Sequence, residues 1–172
     1  MRYTNSEMTT QTTEIPLRPI HRVAKELVAS SGFLLARLGM GFKAKAIERL
    51  DQDGFEIYDY SVLAILAEGV RATQSTIADA LTLDPSRLVA LLDSLETRGL
   101  IARQRDPQDR RRHVVSITAE GERVLGRIRG VIKQLEDEFF EPLDPKSRAQ
   151  LHELLMRIAC HNDPRCSPPR DA

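Results

Sequence analysis

The stretch Thr73–Thr118, TQSTIADALTLDPSRLVALLDSLETRGLIARQRDPQDRRRHVVSIT, constrains the fold of this chain more than any other. Thr73 suits the cap of a short helix, accepting from a free backbone N–H near Ser75 or Thr76. Asp84 caps the next helix, and Pro85 follows at the first helical position, where a missing N–H costs nothing. Gly99 supplies the left-handed residue that ends that helix near Arg98. Two strand-like runs follow, Leu100–Arg105 and His113–Thr118, the second with Val115 and Ile117 at period two. Between them PQDRRR forms a polar turn, so the hairpin carries arginine at its tip.

The flanks read as helices. Val23, Leu27, Leu34, Leu38, Phe42, Ile47 and Leu50 mark the apolar side of one long helix from His21 to about Leu50. Gly32, Gly39 and Gly41 each weaken it by up to about 1 kcal/mol against alanine, which packing against a partner offsets. Asp51–Gly54 is a turn, Tyr58–Glu68 a second helix, and Gly69 its C-cap. Arg71–Ala72 has the length of a minimal third strand beside the hairpin. Apolar spacing continues from Glu122 to Phe140 and again, after the Asp144–Pro145 start, through Leu151, Leu154, Leu155 and Ile158. The expected organisation is a disordered leader over 1–19, one domain over 20–161 and a disordered proline-bearing tail over 162–172. Within the domain, 57–118 is the central unit, and 20–56 with 122–161 are helices for pairing.

Charge narrows the partners. The chain carries 25 basic and 25 acidic residues, which argues against a non-specific coat on nucleic acid. Local clustering decides specific binding, and Arg103, Arg105, Arg110, Arg111 and Arg112 lie together while Glu136, Asp137, Glu138 and Glu141 collect elsewhere. No run approaches the roughly 20 apolar residues needed to span a bilayer. The polar N-terminus lacks the apolar core of a secretory signal, so a cytoplasmic location is expected. His21, His113, His152 and His161 are dispersed, and no Ser or Cys nucleophile stands near a base at a recognised spacing, so no enzyme, metal or cofactor is expected. For Cys160 and Cys166 a structural disulfide is not expected, and an inert tail is preferred over redox sensing or a metal site with His152 and His161, whose spacing matches no recognised ligand pattern.

A mainly α chain with two consecutive short helices and a basic hairpin reads as a winged helix-turn-helix for double-stranded DNA. In such a unit the second helix puts its N-terminal end against base edges in the major groove. Here that end is DPSR: Arg87 has the fork to pair with guanine, Ser86 bonds a base or a phosphate, and Ala90 meets a thymine methyl. Thr73, Gln74 and Ser75 open the bracing helix, whose unpaired N–H groups suit a phosphate. On the wing, Asp109 holds Arg111, and a positioned arginine enters an A·T-rich minor groove. Arg110 and Arg112 serve as phosphate contacts, and Arg98 and Arg103 as surface or phosphate groups. A protein-interaction module built on the same fold is the other class, separated by a test against random and genomic DNA.

On these residues the chain resembles the MarR-type bacterial transcriptional regulators over about His21 to Cys160. TQSTIADAL resembles the family's bracing helix, LDPSRLVALLDSLETRGLIAR its recognition helix and first strand, and DPQDRRRHVVSITAEG its wing and the entry to the fifth helix. The resemblance implies a six-helix winged fold with an intertwined helical dimerisation region, acting as a homodimer on a palindromic operator. It implies repression, with release by a small aromatic, phenolic or anionic effector; ligand-independent or redox-responsive regulation are the alternatives. It puts Asp109 and Arg111 on the family's paired wing residues and Ser86 on a DNA-contacting hydroxyl. Ala90 and Ser94 stand where many members carry basic residues, which shifts weight to Arg87 and the wing. An effector crevice between dimerisation helices and winged unit would draw on Phe33, Arg37, Tyr58 and Tyr60. The competing assignment makes Phe33 core and has both tyrosines bridge core and surface.

Overall fold

The computed structural model describes residues 22–69, 72–105 and 113–166. Two compact units divide at Leu38 and Gly39. The first contains α1 (Lys25–Val28) and the opening of α2 (Ser31–Gln52). One continuous helix was expected here, and the structure interrupts it. Ala29 and Ser30 separate the two pieces, and the Ser30 hydroxyl accepts from the Phe33 N–H at 3.3 Å, restarting the helix as an N-cap does. The short α1 is why the described residues hold seven α-helices where six were expected. Gly39 and Gly41 sit within α2 without ending it.

In the second unit the rest of α2 leads through a turn at Gly54, whose φ is +73°, into α3 (Ile57–Ala67). A minimal strand, β1 (Ala72–Thr73), precedes α4 (Gln74–Leu81) and α5 (Pro85–Thr97). The hairpin β2 (Ile101–Arg105) and β3 (His113–Ile117) follows, then α6 (Ala119–Phe139) and α7 (Pro145–Asn162). The sheet runs β1-β3-β2, antiparallel throughout, with Val115 opposite both Ala72 and Arg103. The two-residue strand is therefore real, at Ala72–Thr73; Arg71 lies outside the described residues.

The predicted stop and start signals hold at the elements that matter for the site. Thr73 accepts from the Thr76 N–H at 3.3 Å, Asp84 caps α5, Gly99 ends it with φ +70°, and Asp144 caps α7. Leu88, Leu92 and Leu95 of α5 are fully buried against Val62, Leu63, Ile77, Val115 and Ile128, so the inner faces of α3 to α6 and the sheet share one core. That core sets the direction in which the outer face of α5 points.

The tail departs from expectation. Disorder was expected from residue 162, yet Asn162 closes α7 and Pro164–Cys166 form a 3-10 turn. The physical reason is Arg165, which donates to Asp163 and reaches back to the Asp79 carbonyl on α4 at 2.8 Å. Within the described residues no helix is long and apolar enough to cross a membrane.

Candidate nucleic-acid interface

The N-terminal end of α5 is built by one carboxylate. Asp84 Oδ1 accepts from the Ser86 N–H at 2.9 Å and from the Arg87 N–H at 3.4 Å, and the Ser86 hydroxyl also donates to it. These bonds, the Ser86 hydroxyl first, hold the Asp84 carboxyl below the usual carboxylate range. Ser86, Arg87 and Ala90 are all exposed, on the side of α5 opposite its buried leucines. With its proton given to Asp84, the Ser86 hydroxyl is left chiefly as an acceptor.

Arg87 is not extended into solvent. Its guanidinium lies over the Tyr58 ring at 4.6 Å from the centroid, joining a predicted base reader to a predicted pocket residue. Both line a cleft of about 440 Å³ with Lys43, Ile47, Asp51, Phe55, Glu56 and Ile57, which mixes apolar walls with both signs of charge. Tyr60 is not among the lining residues and packs instead partly against the core. Phe33 and Arg37 belong to the first unit, half-buried and exposed respectively on α2. Of the expected effector residues, only Tyr58 takes part in this cleft.

At the opening of α4, Thr73 and Thr76 bond reciprocally: the Thr73 N–H donates to Thr76 Oγ1 at 2.8 Å, and Thr76 Oγ1 donates to the Thr73 carbonyl at 2.9 Å. The Thr73 and Ser75 hydroxyls lie 3.0 Å apart, and Gln74 beside them is half-buried. This hydroxyl cluster occupies the position expected to face a phosphate.

Arg103 has a different setting from the one expected. Its Nε donates to Glu96 at 2.8 Å, its Nη2 to Asp93 at 2.6 Å, and its backbone N–H to Glu96 at 3.2 Å. Such a forked pair ties the base of the wing to the recognition helix and leaves little of the guanidinium for a phosphate. The bond from Arg103 pulls Glu96 below its ordinary value, and Glu96 in turn raises Arg103. A depressed carboxylate contributes above its unfolded value, so this clamp should be complete above about pH 4.5 and fade as pH falls through the lower folded value. The Arg103 Nε–H resonance followed by NMR during acidification checks this; loss of the bonded signal already at neutral pH would refute it. The sequence did contain a signal for the clamp, since Asp93 and Glu96 are three apart on one helical face and Arg103 returns past Gly99.

Arg98 was also read as a surface or phosphate group and is a structural brace. Its Nη1 donates to the buried Asp59 at 2.7 Å and its Nη2 to the Gly54 carbonyl at 3.3 Å. The wing residues Asp109, Arg110, Arg111 and Arg112 lie outside the described residues. Among the described residues, no group of three or more His, Cys, Asp or Glu side chains is arranged to hold a metal.

Comparison with known proteins gives this geometry a context. A model of the MarR family matches residues 56–113. A Thauera aromatica protein described as a transcriptional regulatory protein for the hcr operon is 33% identical over 99 residues, which is 58% of this chain and 60% of that protein. CouR from Rhodococcus jostii RHA1, solved bound to p-coumaroyl-CoA, is 33% identical with a TM-score of 0.64, covering 79% of this chain and 96% of its own. The structure of CouR as a transcriptional repressor bound to a 23-mer DNA duplex has a TM-score of 0.70 at 31% identity, covering 78% of this chain and 96% of that one.

Proposed function

Since the chain belongs to the MarR family of winged helix-turn-helix DNA-binding regulators, we propose that it represses transcription as a homodimer on a palindromic operator and lets go when a small aromatic or anionic ligand binds. The observation that carries the DNA-reading part is the Asp84 cap, which presents Ser86, Arg87 and Ala90 together on the exposed face of a helix anchored by buried leucines. Arg87 reads a base, the Thr73–Ser75 cluster meets a phosphate, and Asp109 steers Arg111 into the minor groove between phosphate contacts from Arg110 and Arg112. Arg103 is better supported as the clamp that sets the wing angle than as a phosphate contact.

Pairing is supported by exposed apolar side chains with no cover within the described chain. Leu34, Leu35, Leu38 and Met40 of α2, and Leu154 and Ile158 of α7, are all more than one-third exposed. A two-fold dimer would put two copies of α5 about one DNA turn, roughly 34–36 Å, apart. Ligand release is supported by the Tyr58–Arg87 cleft, where an anion would meet the guanidinium that α5 offers to a base.

Competition binding on cognate and scrambled duplexes tests the roles. Arg87→Ala should relax preference at one base position by roughly 1–3 kcal/mol, whereas Arg111→Ala should weaken all A·T-flanked sites and lower the salt dependence. Equal losses on both duplexes for both variants would refute the assignment. Titrating phenolic acids and their coenzyme A thioesters against the complex tests release; no displacement across the panel would leave a ligand-independent regulator.

A further inference from the structure

We infer that Cys160 and Cys166 are a disulfide-forming pair that fastens a C-terminal strap onto the helix-turn-helix. The strap is the turn after α7. Cys160 Sγ donates to the Cys166 carbonyl at 3.4 Å, so the backbone carrying the second thiol already folds back against the first sulfur. Cys160 is half-buried and Cys166 exposed, and both are free thiols.

What lies between them gives the pair a consequence. Arg165 Nη1 donates to the Asp79 carbonyl at 2.8 Å and to Thr82 Oγ1 at 3.0 Å, while Asp163 holds the same guanidinium at 2.7 Å. Thr82 is the C-cap of α4, the first of the three residues that lead into α5, and its φ of +51° lies in the left-handed region that a β-branched residue rarely adopts. Arg165 therefore braces the one strained non-glycine residue among those described, at the joint that orients the recognition helix. Closing the Cys160–Cys166 loop would restrict the strap to conformations near the docked one.

The oxidant is a hydroperoxide. The exposed Cys166 sulfur, its proton released, attacks one peroxide oxygen and the O–O bond breaks; the hydroxide expelled from hydrogen peroxide takes up that proton and leaves as water, and the sulfur is left as a sulfenic acid. Cys160 sulfur then attacks that sulfur, the S–O bond breaks, and the hydroxyl departs with the thiol proton as a second water. Two thiols have given two electrons to one peroxide.

The full chain is treated with hydrogen peroxide, mapped by alkylation and mass spectrometry, and followed by hydrogen exchange at the Thr82 and Leu83 amides. We expect an intrachain 160–166 disulfide, reversed by dithiothreitol and absent from Cys160→Ser and Cys166→Ser. Oxidation should slow exchange at the two amides in the native chain. Arg165→Ala should speed it about tenfold, the scale of one charge-assisted hydrogen bond, and should remove the effect of oxidation while still forming the disulfide. Sulfinic acid or interchain products alone, or an intrachain disulfide with unchanged exchange, would overturn the inference. Because no DNA enters the measurement, its outcome is independent of the operator and effector proposals.

Discussion

Asp59→Ala is expected to destabilise the fold by about 3 kcal/mol or more, and thermal melting should fall by roughly 10 °C. Asp59 is only 1% exposed, although it opens α3, where a carboxylate normally faces water. Two donors make that burial tolerable. The Glu56 N–H reaches it at 3.1 Å, satisfying an orphan group of the first helical turn, and Arg98 Nη1 reaches it at 2.7 Å from the far end of α5. The guanidinium also lies 5.3 Å from the centre of the Phe55 ring and holds the Gly54 carbonyl, so one side chain joins the α2–α3 turn to the end of the recognition helix. Removing the carboxylate leaves a cation against an aromatic ring and an unpaired N–H at a part-buried helix start. Arg98 is one-third exposed and swings partly into water, which keeps the loss near the lower end of the range for broken buried pairs. Asp59→Asn keeps the shape and a hydrogen bond while dropping the charge, so its melting temperature should lie between native and alanine. A melting curve for the alanine variant within about 2 °C of native would show that the pair has no structural weight.

That brace also marks where reading the sequence stopped. Caps and stops are local, because a helix end needs specific residues within a turn of itself. Asp84–Pro85, Gly99 and Asp144–Pro145 were therefore legible, and so was the hairpin. The exposed positions of Ser86, Arg87 and Ala90 follow from the leucine period of α5. Partners across the fold were not legible. Arg98 meets a carboxylate 39 residues away, and nothing near it in sequence separates that role from a solvated arginine. Arg87 on Tyr58 is another contact of this kind: helical periodicity gives the exposure of each and says nothing of their meeting. Residues 163–166 were misjudged because the prolines there suggested disorder, while the contact that holds them runs from Arg165 to the Asp79 carbonyl on a helix far back in the chain. In the opening helix, glycines drew attention as weak points, yet the break falls at Ala29–Ser30, where a serine hydroxyl captures the next N–H.

Gly121→Ala should be destabilising by about 2 kcal/mol, against the usual sign for that substitution inside a helix. Alanine normally gains up to about 1 kcal/mol over glycine there. Gly121 is in the first turn of α6, and nothing in the local sequence demands glycine. The demand comes from the junction with the wing. A Cβ on Gly121 would sit 2.1 Å from the Leu100 carbonyl oxygen and 2.7 Å from Ile117 Cγ1. That carbonyl is fixed, because it follows the left-handed Gly99 and accepts from the Thr118 N–H at 3.1 Å. Ile117 can rotate, but backbone cannot, so the helix start must move away from the root of the hairpin at the cost of overpacking, typically 1–3 kcal/mol. Gly126→Ala is the matched control on the same helix, with nothing within 4 Å of its Cβ. It should raise stability by roughly 0.5–1 kcal/mol. Urea denaturation of the two variants should thus give midpoints on opposite sides of the native one. Gly121→Ala should also weaken DNA binding beyond its effect on folding, since the displaced junction carries both the wing and the end of α5. Midpoints shifted together, in either direction, would mean that the α6–hairpin contact is not close-packed.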